Sequence, residues 1–190
     1  VTLPFKSRAF SDIAFAIDYD LGRIGEAFAD QTTNSPYNTG SLYRNDSVDI
    51  EACGDATPTL GYDVGWLDAG DWMKYTVQSI PTGPYSLAAR VASGNGGGAF
   101  HIEVNGSNVT SSLSVAATGG WQSWTTLQRP FTNALPATSY RVVVETGGFN
   151  LNWLQLASLL PGAPSNLTAS ATSTQVNLLE MQHGNALLQL

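Results

Sequence analysis

Cysteine is all but missing from this chain of 190 residues: Cys53 stands alone, which excludes an intramolecular disulfide and any metal site built from four cysteines. Basic residues are scarce too. Lys and Arg total 8 against 15 Asp and Glu, a net charge of -7, and they form no cluster. A chain so short of positive charge lacks the electrostatic footprint of a protein that grips nucleic acid or an anionic membrane. No apolar run approaches the roughly 18 residues that a membrane-crossing helix needs. No basic-then-apolar leader opens the sequence at Val1, so a secretory signal is expected upstream of it if the parent protein is exported. Charge of either sign makes up only 12% of the residues, so neutral polar groups must cover most of the surface. No helical period of apolar residues can be defended anywhere.

What the chain does have is turns. Its 19 glycines, with Asn, Asp and Pro, punctuate short apolar-alternating runs, a composition suited to a β-rich domain. After an irregular lead-in from Val1 to Asp12, a first strand is predicted at Ile13–Tyr19, apolar on both faces and so buried. A long irregular segment from Asp20 to Gly61 holds short strands near Leu42–Arg44 and Val48–Ala52. Further strands are predicted at Asp71–Val77, Tyr85–Ala92, Ala99–Val104, Ser112–Val115, Trp124–Phe131, Tyr140–Glu145 and Asn152–Leu156. Asn105-Gly106 is the strongest hairpin signal in the chain. About nine or ten short strands with regular turn signals indicate an all-β, antiparallel β-sandwich.

One stretch organises the rest, Gly61-Tyr62-Asp63-Val64-Gly65-Trp66-Leu67-Asp68-Ala69-Gly70-Asp71-Trp72-Met73-Lys74-Tyr75. Its second half alternates with period two, putting Trp72 and Lys74 on one face and Met73, Tyr75 and Val77 on the other. Trp66 falls before the strand, close to two glycines. It either offers an exposed ring for binding or plugs the end of the sandwich.

Gly65-Trp66-Leu67-Asp68-Ala69-Gly70-Asp71-Trp72 is followed in order by Arg90-Val91-Ala92-Ser93-Gly94-Asn95-Gly96-Gly97-Gly98, Ala117-Thr118-Gly119-Gly120-Trp121-Gln122-Ser123-Trp124 and Gly147-Gly148-Phe149-Asn150-Leu151-Asn152-Trp153. Together these four motifs, over roughly residues 13–158, resemble a family 6 carbohydrate-binding module. The resemblance implies a jelly-roll of two packed sheets and a cleft at one end, with Trp66 and Trp121 facing each other and Asn150 at its base. Asp30 lies near the position from which some relatives contact the end of the sugar chain. A second site on the concave face of one sheet is implied by Trp72 and Glu103, with Lys74 and His101 on the same surface. Trp124 and Trp153 match aromatics of the core. The alternatives to these roles are core packing for Trp121, a backbone-bonded turn residue for Asn150 and a solvated loop acid for Asp30.

A sugar ring has apolar faces and a hydroxyl rim, so flat aromatics and a few amide or carboxylate partners suit it. Covering one face removes about 100 Å² from water, worth about 2–3 kcal/mol. Two such rings, less the cost of immobilising the ligand, correspond to a dissociation constant of about micromolar to millimolar.

The resemblance breaks at calcium. Relatives supply acidic or amide ligands where this chain has Phe15 and Ile17, and an oxygen ligand where it has Ala157. Calcium takes six to eight oxygens, so the structural ion usual in the family has lost its expected side chains; Asp18 and Asp20 are the nearby acids. Asp49, Glu51, Asp68 and Asp71 invite a glycosidase reading, since glycoside hydrolysis uses two carboxylates. Asp68 and Asp71 read instead as turn and strand-start residues, and His101 and His183 adjoin no nucleophile elbow.

The expectation is therefore a carbohydrate-binding β-sandwich over residues 1–158, non-catalytic, monomeric and extracellular, tethered to a catalytic domain in a secreted glycoside hydrolase and binding a polysaccharide or oligosaccharide; the alternatives are a small glycosidase and a structural or adhesion domain that binds no glycan. β-1,3-Glucan, xylan, cello-oligosaccharide and agarose are the candidate ligands. From 159 to 190 a linker is expected, followed by Ser165-Asn166-Leu167-Thr168-Ala169-Ser170-Ala171 and Gln175-Val176-Asn177-Leu178, which resemble the opening of a fibronectin type III domain. The residues that remain are too few to complete such a sandwich.

Overall fold

Along Trp72–Ile80 the side chains alternate between a half-exposed and a buried face: Met73, Tyr75 and Val77 point into the core, and Trp72 and Lys74 away from it. The same alternation runs through Gly98–Val104 and much of Ala137–Thr146. Period-two burial on one face is what an antiparallel sheet requires when it packs on a second sheet. The computed structural model describes residues 1–32, 37–56 and 58–160, with the backbone of three later strands. The chain divides into two compact units, Val1–Leu159 and Leu160–Leu190.

The first unit contains β1 (Ala14–Phe15), β2 (Phe28–Ala29), β3 (Ile50–Ala52), β4 (Tyr62–Val64), β5 (Trp72–Ile80), β6 (Gly83–Ser93), β7 (Gly98–Val104), β8 (Ser107–Asn108), β9 (Leu113–Val115), β10 (Gly120–Asn133), β11 (Ala137–Thr146) and β12 (Asn150–Ser158). One sheet runs β10-β6-β12-β4-β3, with β1 also on β12. The other runs β2-β5-β11-β7-β8, with β9 on β7. The long strands β5, β6, β7, β10, β11 and β12 thus alternate between sheets, the winding of a jelly-roll. Between the sheets lie Tyr75, Leu87, Phe100, Ile102, Val142, Leu154 and their neighbours, fully buried. Tyr75 stacks on Tyr140, and Phe100 on Phe149.

This winding gathers loops at one end. Asn150 and Gly120 pair with Ala92 and Ser93 at the end of β6, and Leu151 pairs with Val64 at the end of β4. Loops 65–71, 94–97, 116–119 and 147–149 therefore emerge together. The hairpin expected at Asn105-Gly106 forms with positive φ at both residues, 51° and 75°, as a type I′ turn demands.

Three strand expectations need correction. Ile13–Tyr19 is not one strand: after β1 the chain tightens into a 3-10 turn at Ala16–Asp18. The turn carries the Asp18 carboxylate to Lys6, 3.0 Å away, and to the Tyr43 hydroxyl. Leu42–Arg44 is a turn closed by the Tyr43 and Arg44 amides on the Gly40 carbonyl, at 2.7 and 3.0 Å. Its Arg44 side chain is drawn inward to the carbonyls of Tyr19 and Asp20. Val48–Ala52 pairs only at β3, while β2 and β4 went unread because two or three residues show no period.

In the second unit Thr168–Thr172 and Gln175–Met181 form an antiparallel hairpin, and Leu187–Leu188 adds to its second strand. The predicted linker and the opening of the fibronectin-like stretch fall largely on residues 161–167, outside those described.

Candidate functional site

Two glycines at the gathered end, Gly94 and Gly147, permit approaches that a side chain would block. A Cβ on Gly147 would stand 2.0 Å from the Leu67 carbonyl oxygen, so the 147–149 and 65–71 loops pack backbone to backbone. A Cβ on Gly94 would meet the Trp121 indole at 2.9 Å. The indole accordingly lies against the β6–β7 loop. What these contacts frame is a cleft of about 540 Å³, within the size range of small-ligand sites.

Trp66 and Trp121 both line the cleft, and they are 42% and 45% exposed. Neither is swallowed by the core. Trp66 has a φ of 47°, a left-handed conformation that costs a non-glycine residue about 1–2 kcal/mol. Its loop is held by Asp71, whose carboxylate accepts from the Asp68 amide at 2.7 Å and the Gln31 amide at 2.8 Å. Burial pushes Asp71 up to about 6 despite those bonds. Asp68 and Asp71 thus organise the turn, and Asp68 also accepts from the Thr32 hydroxyl at 2.7 Å.

Trp121 sits where the β10–β6 register shifts, between Gly120 and Trp124. A bulge of this kind re-aims a side chain away from the sheet. Its neighbour Gln122 ties the bulge to the far edge of the sheet: Nε2 donates to Glu51 at 2.9 Å and Asp63 at 3.1 Å, and Oε1 accepts from the Gly54 amide at 2.6 Å and the Trp124 indole at 3.3 Å. Asp63 is completely buried, and burial drives its carboxyl up to about 7, against the opposing hydrogen bond from Gln122.

Asn150 stands at the base of the cleft as expected, 3% exposed. Its Nδ2 donates to Glu51 and to the Trp121 carbonyl, the latter at 2.9 Å. Both amide hydrogens are therefore engaged. Asp49, Glu51 and Asp68 contribute carboxylates to the lining, and none of the described lining residues is Lys, Arg or His.

Asp30 is not brought to this cleft. It is buried behind it, beside Asp71 and Val64, accepting from the Thr32 amide at 2.7 Å. Burial raises its carboxyl above the ordinary value.

Trp72 and Glu103 both line a hollow of about 310 Å³ on the outer face of the second sheet, which Lys74 also lines. Arg141 stands between them. Its guanidinium lies 4.8 Å from the Trp72 ring centroid and forms an ion pair with Glu103. His101 neighbours this group, 3.5 Å from Glu103 and 2.6 Å from Glu145. Of the two tryptophans read as core, Trp153 is buried, whereas Trp124 is half-buried and props Gln122.

Calcium does not fit where the family holds it. Phe15 and Ile17 are apolar, the Asp18 carboxylate is taken by Lys6, Arg8 and Tyr43, and Asp20 accepts from the Thr76 amide and hydroxyl. Among the described residues no group of three acidic, His or Cys side chains is placed to hold a metal.

Tyr37 and Gln122 are site residues that the sequence does not single out, and Glu51, considered there only as a glycosidase carboxylate, holds Asn150 instead. Tyr37 lies flat on Trp66, with ring centroids 4.6 Å apart. Glu51 and Gln122 build the polar floor. Period-two alternation across Val48–Ala52 does place Asp49 and Glu51 on one face, and that signal was available. Nothing in the sequence announces Tyr37.

The comparisons agree with this fold. The C-terminal family 6 module of LamC, a marine laminarinase from Zobellia galactanivorans, is 27% identical over 83% of this chain and 100% of that one, with a TM-score of 0.58. The module CBM6cm-2 of Cellvibrio mixtus lichenase 5A, solved with cellotriose, is 29% identical over 80% of this chain and 99% of that one, with a TM-score of 0.59. The clotting factor G alpha subunit of Tachypleus tridentatus is 31% identical over 121 residues, 63% of this chain and 18% of that protein, so the chain spans only a small part of that relative. Residues 41–158 match the profile of "Carbohydrate binding module (family 6)", and with its sandwich and its aromatic cleft this chain belongs to that family.

Proposed function

We propose that the chain binds a β-linked glycan in the cleft between Trp66 and Trp121, without catalysis, and that it serves as the substrate-tethering module of a secreted glycan-degrading enzyme. The observation that carries this is the pair of indoles, each more than two-fifths exposed, on one cleft of about 540 Å³. Two exposed rings at a concave site are costly to leave in water, and a pyranose face is the flat apolar surface that relieves them. The cellotriose complex of one relative and the laminarinase context of another favour β-glucans among the candidate ligands. Tethering raises the local concentration of a linked catalytic domain on its polymer. Trp72 and Glu103 form a subsidiary surface, where a sugar would have to displace the Arg141 guanidinium.

Affinity electrophoresis against laminarin, lichenan, xylan and agarose tests the reading. Retention by at least one polymer, abolished in Trp121→Ala with an unchanged unfolding transition, is the expected result. Retention unaffected by Trp121→Ala would overturn it. Reducing sugar released from any of these polymers by the purified chain would replace binding with hydrolysis.

A further inference from the structure

The orientation of the Asn150 side chain is dictated by its neighbours. Nδ2 faces two groups that only accept, a Glu51 carboxylate oxygen and the Trp121 carbonyl. Turning the amide over would set its oxygen against both. Glu51 is itself held: the same oxygen, Oε1, accepts from Gln122 Nε2, whose amide is fixed in turn by the Gly54 and Trp124 donors on its oxygen. The Asn150 Oδ1 accepts from none of the described residues. A Cβ at Gly65 would stand 3.3 Å from that oxygen and 3.5 Å from Glu51 Oε1, so the glycine leaves this corner open.

Resting on the glycan-binding reading above, we propose that Glu51 is a specificity-determining residue. By occupying the one amide hydrogen of Asn150 that the Trp121 carbonyl does not take, it makes the base of the cleft accept a hydrogen bond and not donate one. The cleft then selects a sugar ring presenting a free hydroxyl at that point and rejects one whose hydroxyl is lost or substituted. The carboxylates of Asp49 and Asp68 act in the same sense as acceptors, and no cationic side chain joins them among the described lining residues. A site built to receive a hydroxyl hydrogen discriminates strongly against an analogue without one, since its buried acceptor is left unpaired.

Two measurements test this. In the free protein, nuclear magnetic resonance should find both side-chain amide hydrogens of Asn150 protected from exchange. Protection of both should persist in Glu51→Gln, whose carbonyl oxygen can accept from the Asn150 and Gln122 amides, whereas in Glu51→Ala the hydrogen facing Glu51 should lose protection and the one on the Trp121 carbonyl keep it. Unprotected hydrogens in the wild type, or protection of both hydrogens that survives Glu51→Ala, would overturn the proposal. The second measurement is titration with cellotriose, laminaritriose and their monodeoxyfluoro derivatives, in which fluorine replaces a hydroxyl without being able to donate. At one ring position the substitution should weaken binding about tenfold or more in the wild type and in Glu51→Gln, but about twofold or less in Glu51→Ala. Binding of the parent sugars with a flat fluorine profile overturns this proposal alone. Failure of the wild type to bind either parent sugar overturns the glycan reading for these ligands and the proposal with it.

Discussion

Tyr37 and Trp66 are stacked face to face, with ring centroids 4.6 Å apart and planes 6° from parallel, although both rings are more than two-fifths exposed. The tyrosine covers one face of an indole whose backbone is held in a left-handed conformation, and so limits the ways the indole can turn. The stack is therefore part of the binding apparatus.

Tyr37→Ala is expected to weaken glycan binding about two- to tenfold, the equivalent of the 0.5–1.5 kcal/mol typical of an aromatic pair. In a Trp66→Ala background the same change should cost almost nothing further. Isothermal titration of the two single variants and the double variant gives that coupling directly. Equal costs in both backgrounds would show that Tyr37 acts without Trp66.

Asp63 sets a pH dependence. Its folded carboxyl is raised to about 7 from an ordinary value near 3.8, so between those values the native state binds the proton more tightly than the unfolded chain. Stability contributed by this group is then full below about pH 4 and falls as pH rises to about 7. Asp63→Asn removes the titration. Its stability relative to wild type should rise across that interval by about 2–4 kcal/mol, read from urea denaturation at pH 4, 5.5 and 7.5. A difference that does not change with pH would contradict this assignment.

On the outer face of the second sheet, Arg141 both covers the Trp72 ring and pairs with Glu103. Trp72→Ala should therefore change glycan affinity less than about twofold, well within the effect of one exposed contact, while Trp121→Ala removes retention. A comparable loss in Trp72→Ala would make the outer face a principal site.

At the edge of the first sheet, Asp18 is shared by Lys6 at 3.0 Å and a buried Arg8 at 3.9 Å. Asp18→Asn leaves Arg8 without its carboxylate and should lower stability by about 3 kcal/mol. Because these cations already hold the acid near the family's ion position, adding calcium chloride or a chelator should leave the melting temperature of the wild type within about 1 °C, as expected of an ion that does not bind the native state. A calcium-dependent rise in melting temperature would show that other oxygens hold the ion.

Burial patterns and glycine-rich motifs are local properties, and they were legible in the sequence. Alternation in Trp72–Val77 and Ala99–Val104 was enough for an antiparallel sandwich, because a strand with one face in the core must repeat every two residues. The four motifs supplied Trp66, Trp121 and Asn150, and all three line one cleft. The turn at Ala16–Asp18, by contrast, depends on where Lys6 and Tyr43 arrive, and the burial of Asp30 on where Asp71 and Val64 close over it. Only the folded chain decides such matters. Glu51 is 99 residues from Asn150 in sequence and Gln122 is 71 from Glu51. A hydrogen bond across that separation leaves no period or spacing to read, since it exists only once the two edges of the sheet have been brought to the same end.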